Sequence, residues 1–361
     1  MRHKSRYGYG AYRGRSAVSK FLTGIAIFLG ALLVLSVLAV VFLGRYVVYT
    51  EDGARLELPF FPQTDPAPIQ STDIPESTPI PQTPSPEPTP EPIAVLHAAA
   101  APRSALTDGT AADLVAAAGA NAVWFDMKAD DGTLGYISAL DLAIQAQASA
   151  STPGLNEAIQ TLNATEGLYT VARVSCFKDD LLSNAYYSLN ILTNSGYRWT
   201  DPEKLHWSSP ANETVCSYLV GVCRELAALG FDEIVLDNAG YPTEGNLGYI
   251  KKGPFYNVDQ LDSVIGAFYA QVKEALADYP DVKLSIAATE AALDGSDSKS
   301  GQTAENVAQN AQRVWVAPPV NENADYGALL ASAGKAFSAE DIVSTVPQAT
   351  SADYSWAIWP G

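Results

Sequence analysis

From residue 93 onward, short apolar runs alternate with longer stretches of helical pattern. Eight such runs read as strands: 93–99, 122–128, 168–175, 233–237, 283–288, 313–317, 341–346 and 355–359. They are brief and rich in aliphatic and β-branched residues, as buried strands are. Between most of them lie helical patterns: 111–118, 155–163, 180–194, 213–229, 258–277, 304–309 and 326–333. Strands that alternate with helices imply βαβ units and a parallel sheet. Eight of them in some 270 residues fit a (β/α)8 barrel of the TIM type. An open doubly wound sheet is the structural alternative. No glycine-rich phosphate loop of the GxGxxG or Walker kind follows any strand, which counts against a nucleotide-binding sheet.

The N-terminal quarter has a different pattern. Residues 21–44 carry no charge over 24 positions, long enough to span a bilayer with some tilt. The run is longer than a signal-peptide core and is followed by Arg45, Tyr46 and aliphatic residues. It therefore reads as an uncleaved signal anchor. Six basic residues and no acidic one precede it in residues 1–20, so this tail is expected in the cytoplasm and the rest of the chain outside it. Residues 45–92 then read as a stalk, with 12 prolines between Pro59 and Pro92 that exclude a helix or a central strand. The domain of interest is 93–361.

Charge narrows the partners. The chain carries a formal net charge of −18. From Val95 onward 14 basic residues face 32 acidic ones. So acidic a domain is a poor fit to nucleic acid, whose binding rests on neutralising phosphates. Neutral or cationic ligands suit it better. The three cysteines, Cys176, Cys216 and Cys223, form no CxxC or Cys/His cluster, so neither a structural zinc nor a disulfide framework is expected. No metal or cofactor motif is present.

Candidate chemistry sits at the C-terminal ends of the strands, which in a barrel form the functional face. The second strand ends AVWFDMK, giving Asp126 and Lys128. The third carries Arg173 and leads into Lys178, Asp179 and Asp180. The fourth ends at Asp237, and Glu290 lies just beyond the fifth. Two carboxyl groups facing one cleft are what glycosidic bond cleavage requires: one protonates the leaving oxygen, the other attacks the anomeric carbon or activates water. Asp237 is the expected nucleophile or base and Glu290 the expected acid, with Asp126 as a further catalytic candidate. The competing role for Asp237 is an ion pair inside the barrel, with Arg173 or Lys128. Lys128, Arg173, Lys178 and Asp179 are expected to bind substrate. Asp232 and Glu233 precede the fourth strand and belong to the opposite, stabilising face. Trp199, Trp207 and Tyr241 are the expected sugar platforms, the two tryptophans standing in a long insertion after the third strand, 177–229. With only His97 and His206 in the domain and no GxSxG or HExxH motif, a serine triad or a zinc hydrolase is disfavoured.

The stretches GANAVWFDMKADDGTLGY, YTVARVSCFKDD and WSSPANETVCSYLVGVCRELAALGFDEIVLDNAGYP, in that order, resemble a family of glycosyl-hydrolase-like domains of bacterial surface proteins. The resemblance covers 93–361. It implies a (β/α)8 fold, puts Asp237 on the family's catalytic Asp, Asp126 and Lys128 on its Asp-x-Lys, and Arg173, Lys178 and Asp179 on its Arg…Lys-Asp. Two positions depart from the family pattern: Asn238 stands where it carries Tyr, and Gly240 where it carries Arg. Two readings follow. One is a membrane-anchored, extracytoplasmic glycoside hydrolase acting on a cell-wall or environmental polysaccharide. The other is a catalytically inactive barrel that binds glycan or scaffolds the envelope.

Overall fold

The structure is a computed structural model that describes residues 47–50, 53–56, 95–318, 320–321, 324–350 and 353–359. The basic tail, the 21–44 span and the proline-rich segment lie outside the described residues. Among those that are described, no helix is long and apolar enough to cross a membrane. The chain divides into two compact units, Met1–Ser85 and Pro86–Gly361. In the first, Val47–Thr50 and Gly53–Leu56 pair antiparallel, with Thr50 opposite Gly53. Two short paired strands therefore stand in the opening of the expected stalk.

The second unit is a closed barrel of eight parallel strands. They are β1 His97–Ala101, β2 Ala122–Lys128, β3 Tyr169–Ser175, β4 Glu233–Asp237, β5 Lys283–Ala288, β6 Arg313–Val316, β7 Ile342–Val346 and β8 Trp356–Ile358. Each pairs with its sequence neighbours, and β8 closes the ring on β1 through Trp356↔His97. All eight expected strands are present, which settles the choice between a barrel and an open sheet. Nine α-helices are described: α1 Ala111–Ala118, α2 Asp141–Gln145, α3 Leu155–Asn163, α4 Asp180–Ala185, α5 Glu213–Ala228, α6 Leu261–Ala275, α7 Glu290–Leu293, α8 Ala304–Asn310 and α9 Tyr326–Ser332. Helices α2 and α7 have only five and four residues, too few for a periodic signal. No described helix separates β7 from β8.

Alternation along the strands sorts side chains to two cores. Outward residues such as Val123, Phe125, Ile234 and Leu236 pack under the helices. Helix α5 supplies Val215, Leu219, Val222 and Leu226 at three- and four-residue spacing, and buries Cys216 and Cys223 as free thiols. Inward residues fill the barrel: alanines of β1 and β8 leave room for Trp124 and Trp315. Trp359 stacks on Trp124 at 5.2 Å and meets Trp315 edge-on at 6.1 Å.

The bottom of the barrel is polar and is organised around one buried carboxylate. Glu233, with no exposed surface, accepts hydrogen bonds from Arg313, Trp315, Ser285 and Tyr169 at 2.5–2.9 Å. This bears out a structural role for Glu233. Asp232 likewise takes the Thr170 amide at 2.7 Å.

The helix expected over 180–194 ends at Ala185. Tyr186 turns to extended backbone, and the Asn190 side chain caps the carbonyls of Ser183, Tyr186 and Tyr187. Beyond it the insertion is a bridged loop, with Asn190↔Ser208 and Leu192↔Arg198.

Candidate active site

Period-two alternation carries three charged residues onto the inner face at the C-terminal mouth: Asp126 after Trp124, Arg173 after Val171, and Asp237 after Val235. Asp126 and Arg173 are register partners, so they meet side by side. The guanidinium of Arg173 is the hub. It donates to Asp237 Oδ2 from Nε at 2.8 Å and from Nη2 at 2.5 Å, to Asp126 Oδ1 at 2.8 Å, and to Asp130 Oδ1 at 2.7 Å. Its plane lies 5.5 Å from the Trp359 ring centre. Burial opposes the charge on Arg173, but Asp237, Asp130 and Asp126 outweigh it and raise its pKa far above the ordinary arginine value. Asp130 shows the converse: burial pushes its carboxyl up, while Arg173 and Lys178 together pull it below the usual aspartate value.

Lys178 extends the network outward. Its Nζ lies 2.7 Å from Glu203, 3.2 Å from Asp130 and 3.3 Å from Asp201. Asp201 also accepts the Trp207 indole N–H at 3.1 Å. Lys178, Asp201, Glu203 and Trp207 wall a cleft of about 270 Å³ that Asp237, Asn238 and Tyr241 line from β4 and the loop after it.

Three of the expected substrate ligands are placed elsewhere. Lys128 and Asp179 are 0% and 1% exposed and pair with each other at 2.8 Å, beneath the site. A bulge between Asp126 and Lys128 shifts the register, so the lysine pairs with outward-facing Val174 and leaves the inner face that alternation would give it; Ser175 O accepts from it at 2.7 Å. Asp179 caps α4 through the Leu182 amide. Gly132 closes over the pair: a Cβ there would stand 2.0 Å from Asp179 Oδ1. Lys128 and Asp179 therefore support the site from below and cannot reach a sugar. Trp199 is 2% exposed, with its indole N–H donating to Asn246 O at 3.1 Å, so it is core and no platform. Trp207 and Tyr241 are largely buried but do contribute to the cleft wall. Burial pushes the Tyr241 phenol well above its usual value.

Glu290 opens α7 directly after its cap, Thr289. Its carboxyl accepts from Tyr326 Oη at 3.0 Å and Asn321 Nδ2 at 3.2 Å. It lines a second hollow of about 660 Å³. That hollow shares Thr243, Glu244, Thr289 and Asp297 with the cleft of Asp237, so the two carboxyls line adjoining parts of one groove. Asp130, Asp201 and Glu203 were invisible as site residues in the sequence. The only hint was their acidity within loops that follow barrel strands.

The two departures at the β4 end have structural counterparts. Asn238 adopts φ +45°, a conformation Asn tolerates. Its side-chain amide ties Asp130 at 3.1 Å to Ser175 at 2.9 Å, and its backbone N–H holds Asp237 Oδ1 at 2.8 Å. At Gly240 a Cβ would lie 2.8 Å from Ser300 O, so the loop of 300–302 occupies the space a side chain would need.

Residues 97–318, more than half of the chain, match the family described as "Putative glycosyl hydrolase domain". The chain belongs to this family. The matched span of this glycosyl hydrolase domain runs from β1 to the end of β6 and contains all of the Asp126–Arg173–Asp237 cluster. A search of curated proteins found no significant match. Among solved structures the chain is similar to a hypothetical protein from Ruminiclostridium thermocellum, at 26% identity over 52% of this chain and 95% of that one, with a TM-score of 0.44. It is also similar to the PgaB (BpsB) glycoside hydrolase domain from Bordetella bronchiseptica, at 13% identity over 70% and 84% of the two chains, TM-score 0.47. The glycoside hydrolase domain of PelA from Pseudomonas aeruginosa gives 13% identity over 70% and 83%, TM-score 0.39.

Proposed function

We propose that the protein is a membrane-anchored, extracytoplasmic glycoside hydrolase that cuts O-glycosidic bonds in a cell-wall or environmental polysaccharide. One observation carries the reading: Asp126 and Asp237 are bridged by a single guanidinium at the open mouth of the barrel. That bridge gathers two carboxyls at the functional face, where glycosidic cleavage needs its carboxyl groups. A carboxylate paired to a guanidinium is suited to act as base or nucleophile, which is the role of Asp237. Proton donation to the leaving oxygen falls to Glu290, which is held by a phenol and an amide. Among the described residues no cation forms an ion pair with Glu290. Three aspartates against one arginine leave the mouth net negative, which favours the positive charge that develops on the anomeric carbon. The 21–44 span anchors the domain and the segment 45–92 holds it off the membrane.

The test is release of reducing ends from glycol chitin, glucomannan and dextran by the full chain in detergent. Asp237→Asn and Glu290→Gln are each expected to lower the rate about 10²–10⁴-fold. Unchanged rates in both variants would sink the assignment. A second reading rests on a specific observation: both Asp237 oxygens are already engaged, one by Arg173 and one by the Asn238 amide. It is a barrel that binds glycan without cutting it, and its result in the same assay is retention of polymer with no reducing ends from the wild type.

A further inference from the structure

Large exposed aromatic side chains are uncommon on this surface, and three tyrosines converge on one turn. Tyr187, Tyr197 and Tyr249 are 54%, 75% and 64% exposed. The turn is residues 193–197. The Tyr187 hydroxyl donates to Gly196 O, the Thr193 amide donates to Tyr197 O at 2.7 Å, and the Asn194 amide donates to Tyr249 O at 2.8 Å. The bridges Leu192↔Arg198 and Thr193↔Ile250 fasten the turn to both loops. The rings are therefore displayed by a hydrogen-bonded frame and not by a free loop. Exposed aromatic residues gathered on one frame are candidates for an interaction site.

We propose that Tyr187, Tyr197 and Tyr249 form a stacking platform for a neutral polysaccharide chain where it leaves the cleft. This deepens, and rests on, the glycan-cleaving reading of that cleft. Continuity with the cleft identifies the occupant. The insertion that carries Tyr187 and Tyr197 also supplies the cleft residues Asp201, Glu203 and Trp207, and the loop that carries Tyr249 also supplies Glu244. Tyr197 is four residues from Asp201 and Tyr249 five from Glu244, so chain reach alone keeps them within about 14 Å and 18 Å. The two loops touch in between, where Gly245 packs on Pro202 and Trp199 donates to Asn246 O. Aromatic rings offer apolar faces to sugar C–H groups, and their phenol ends stay wet. A platform outside the cleft favours internal attack on long chains over trimming of short ones.

The test is affinity electrophoresis of the full chain in detergent, through native gels containing glycol chitin or glucomannan. Wild type is expected to be retarded by at least one polymer. The variant Tyr187→Ser/Tyr197→Ser/Tyr249→Ser is expected to bind that polymer about tenfold more weakly. Tyr197→Ser alone, whose ring makes none of the frame hydrogen bonds, is expected to show part of that loss with an unchanged melting temperature. Equal retardation of wild type and triple variant overturns the platform, as does absence of retardation by either polymer. A wild type that sediments as a dimer and a variant that sediments as a monomer would also overturn it, by making the patch a surface between copies. The catalytic reading is judged separately by reducing-end release in Asp237→Asn, so the two failures are distinguishable.

Discussion

Arg173→Met is expected to lower stability by about 3 kcal/mol and to abolish glycan cleavage. Removing one partner of a buried ion pair costs about 3–5 kcal/mol, because the abandoned charge keeps its desolvation penalty. Here three carboxylates lose their common cation, but Asp126 and Asp130 keep 37% and 31% of their exposure, which places the effect at the lower end. The cost should depend on pH in a defined direction. In the wild type Asp130 has a lowered pKa, so its contribution is present above the ordinary carboxylate pKa of about 3.9 and is lost as pH falls through the folded value below it. Without Arg173, burial at Asp130 is opposed by Lys178 as the one remaining cation, so its charged form is less favoured than in the wild type and less stability is gained as pH rises. The gap between variant and wild type should thus be wide at pH 7 and narrow at pH 4.5 in urea unfolding midpoints. A gap that is constant with pH would mean that Arg173 acts through packing and not through charge.

Glu233→Leu is expected to cost more, about 3–5 kcal/mol, with no change in cleavage per folded molecule. Arg313 is 1% exposed and its guanidinium donates to Glu233 at 2.5 Å. Burial opposes the charge on Arg313, and Glu233 more than compensates. Leucine would remove the carboxylate closest to that cation, and would strand the donors of Trp315, Ser285 and Tyr169 as well. Glu233→Gln keeps an acceptor of the same shape and should lose less. Chemical denaturation of the three proteins separates the cases. If leucine proves no worse than glutamine, the loss comes from the missing charge opposite Arg313 and not from the missing acceptors of Trp315, Ser285 and Tyr169.

The barrel was legible because each strand is a short apolar run whose environment is set locally by period two. The same alternation exposed the core of the site: Asp126, Arg173 and Asp237 follow inward-facing Trp124, Val171 and Val235. What was hidden depends on contacts distant in sequence. Trp199 looks like a loop residue beside Pro202, but Gly245 and Asn246 arrive from the next crossover to cover it. Lys128 shares a strand with Asp126, yet the bulge redirects it to Asp179. Asp130, Asp201 and Glu203 acquire roles only through Arg173 and Lys178, whose positions no local pattern specifies. The helix ending at Ala185 is likewise decided by Asn190, which offers its amide to three carbonyls that would otherwise continue the helical ladder.

The closure of β8 on β1 sets the order in which this molecule can be completed. The Leu96 amide donates to Ser355 Oγ across 259 positions, and Trp356 pairs with His97. Until the last strand arrives, β1 and β7 both present unpaired edges, the kind of surface that recruits other chains. Such long-range pairing is entropically late and slow. In a chain emerging N-terminus first, the edges of β1 and β7 therefore stay open to other chains until β8 is in place.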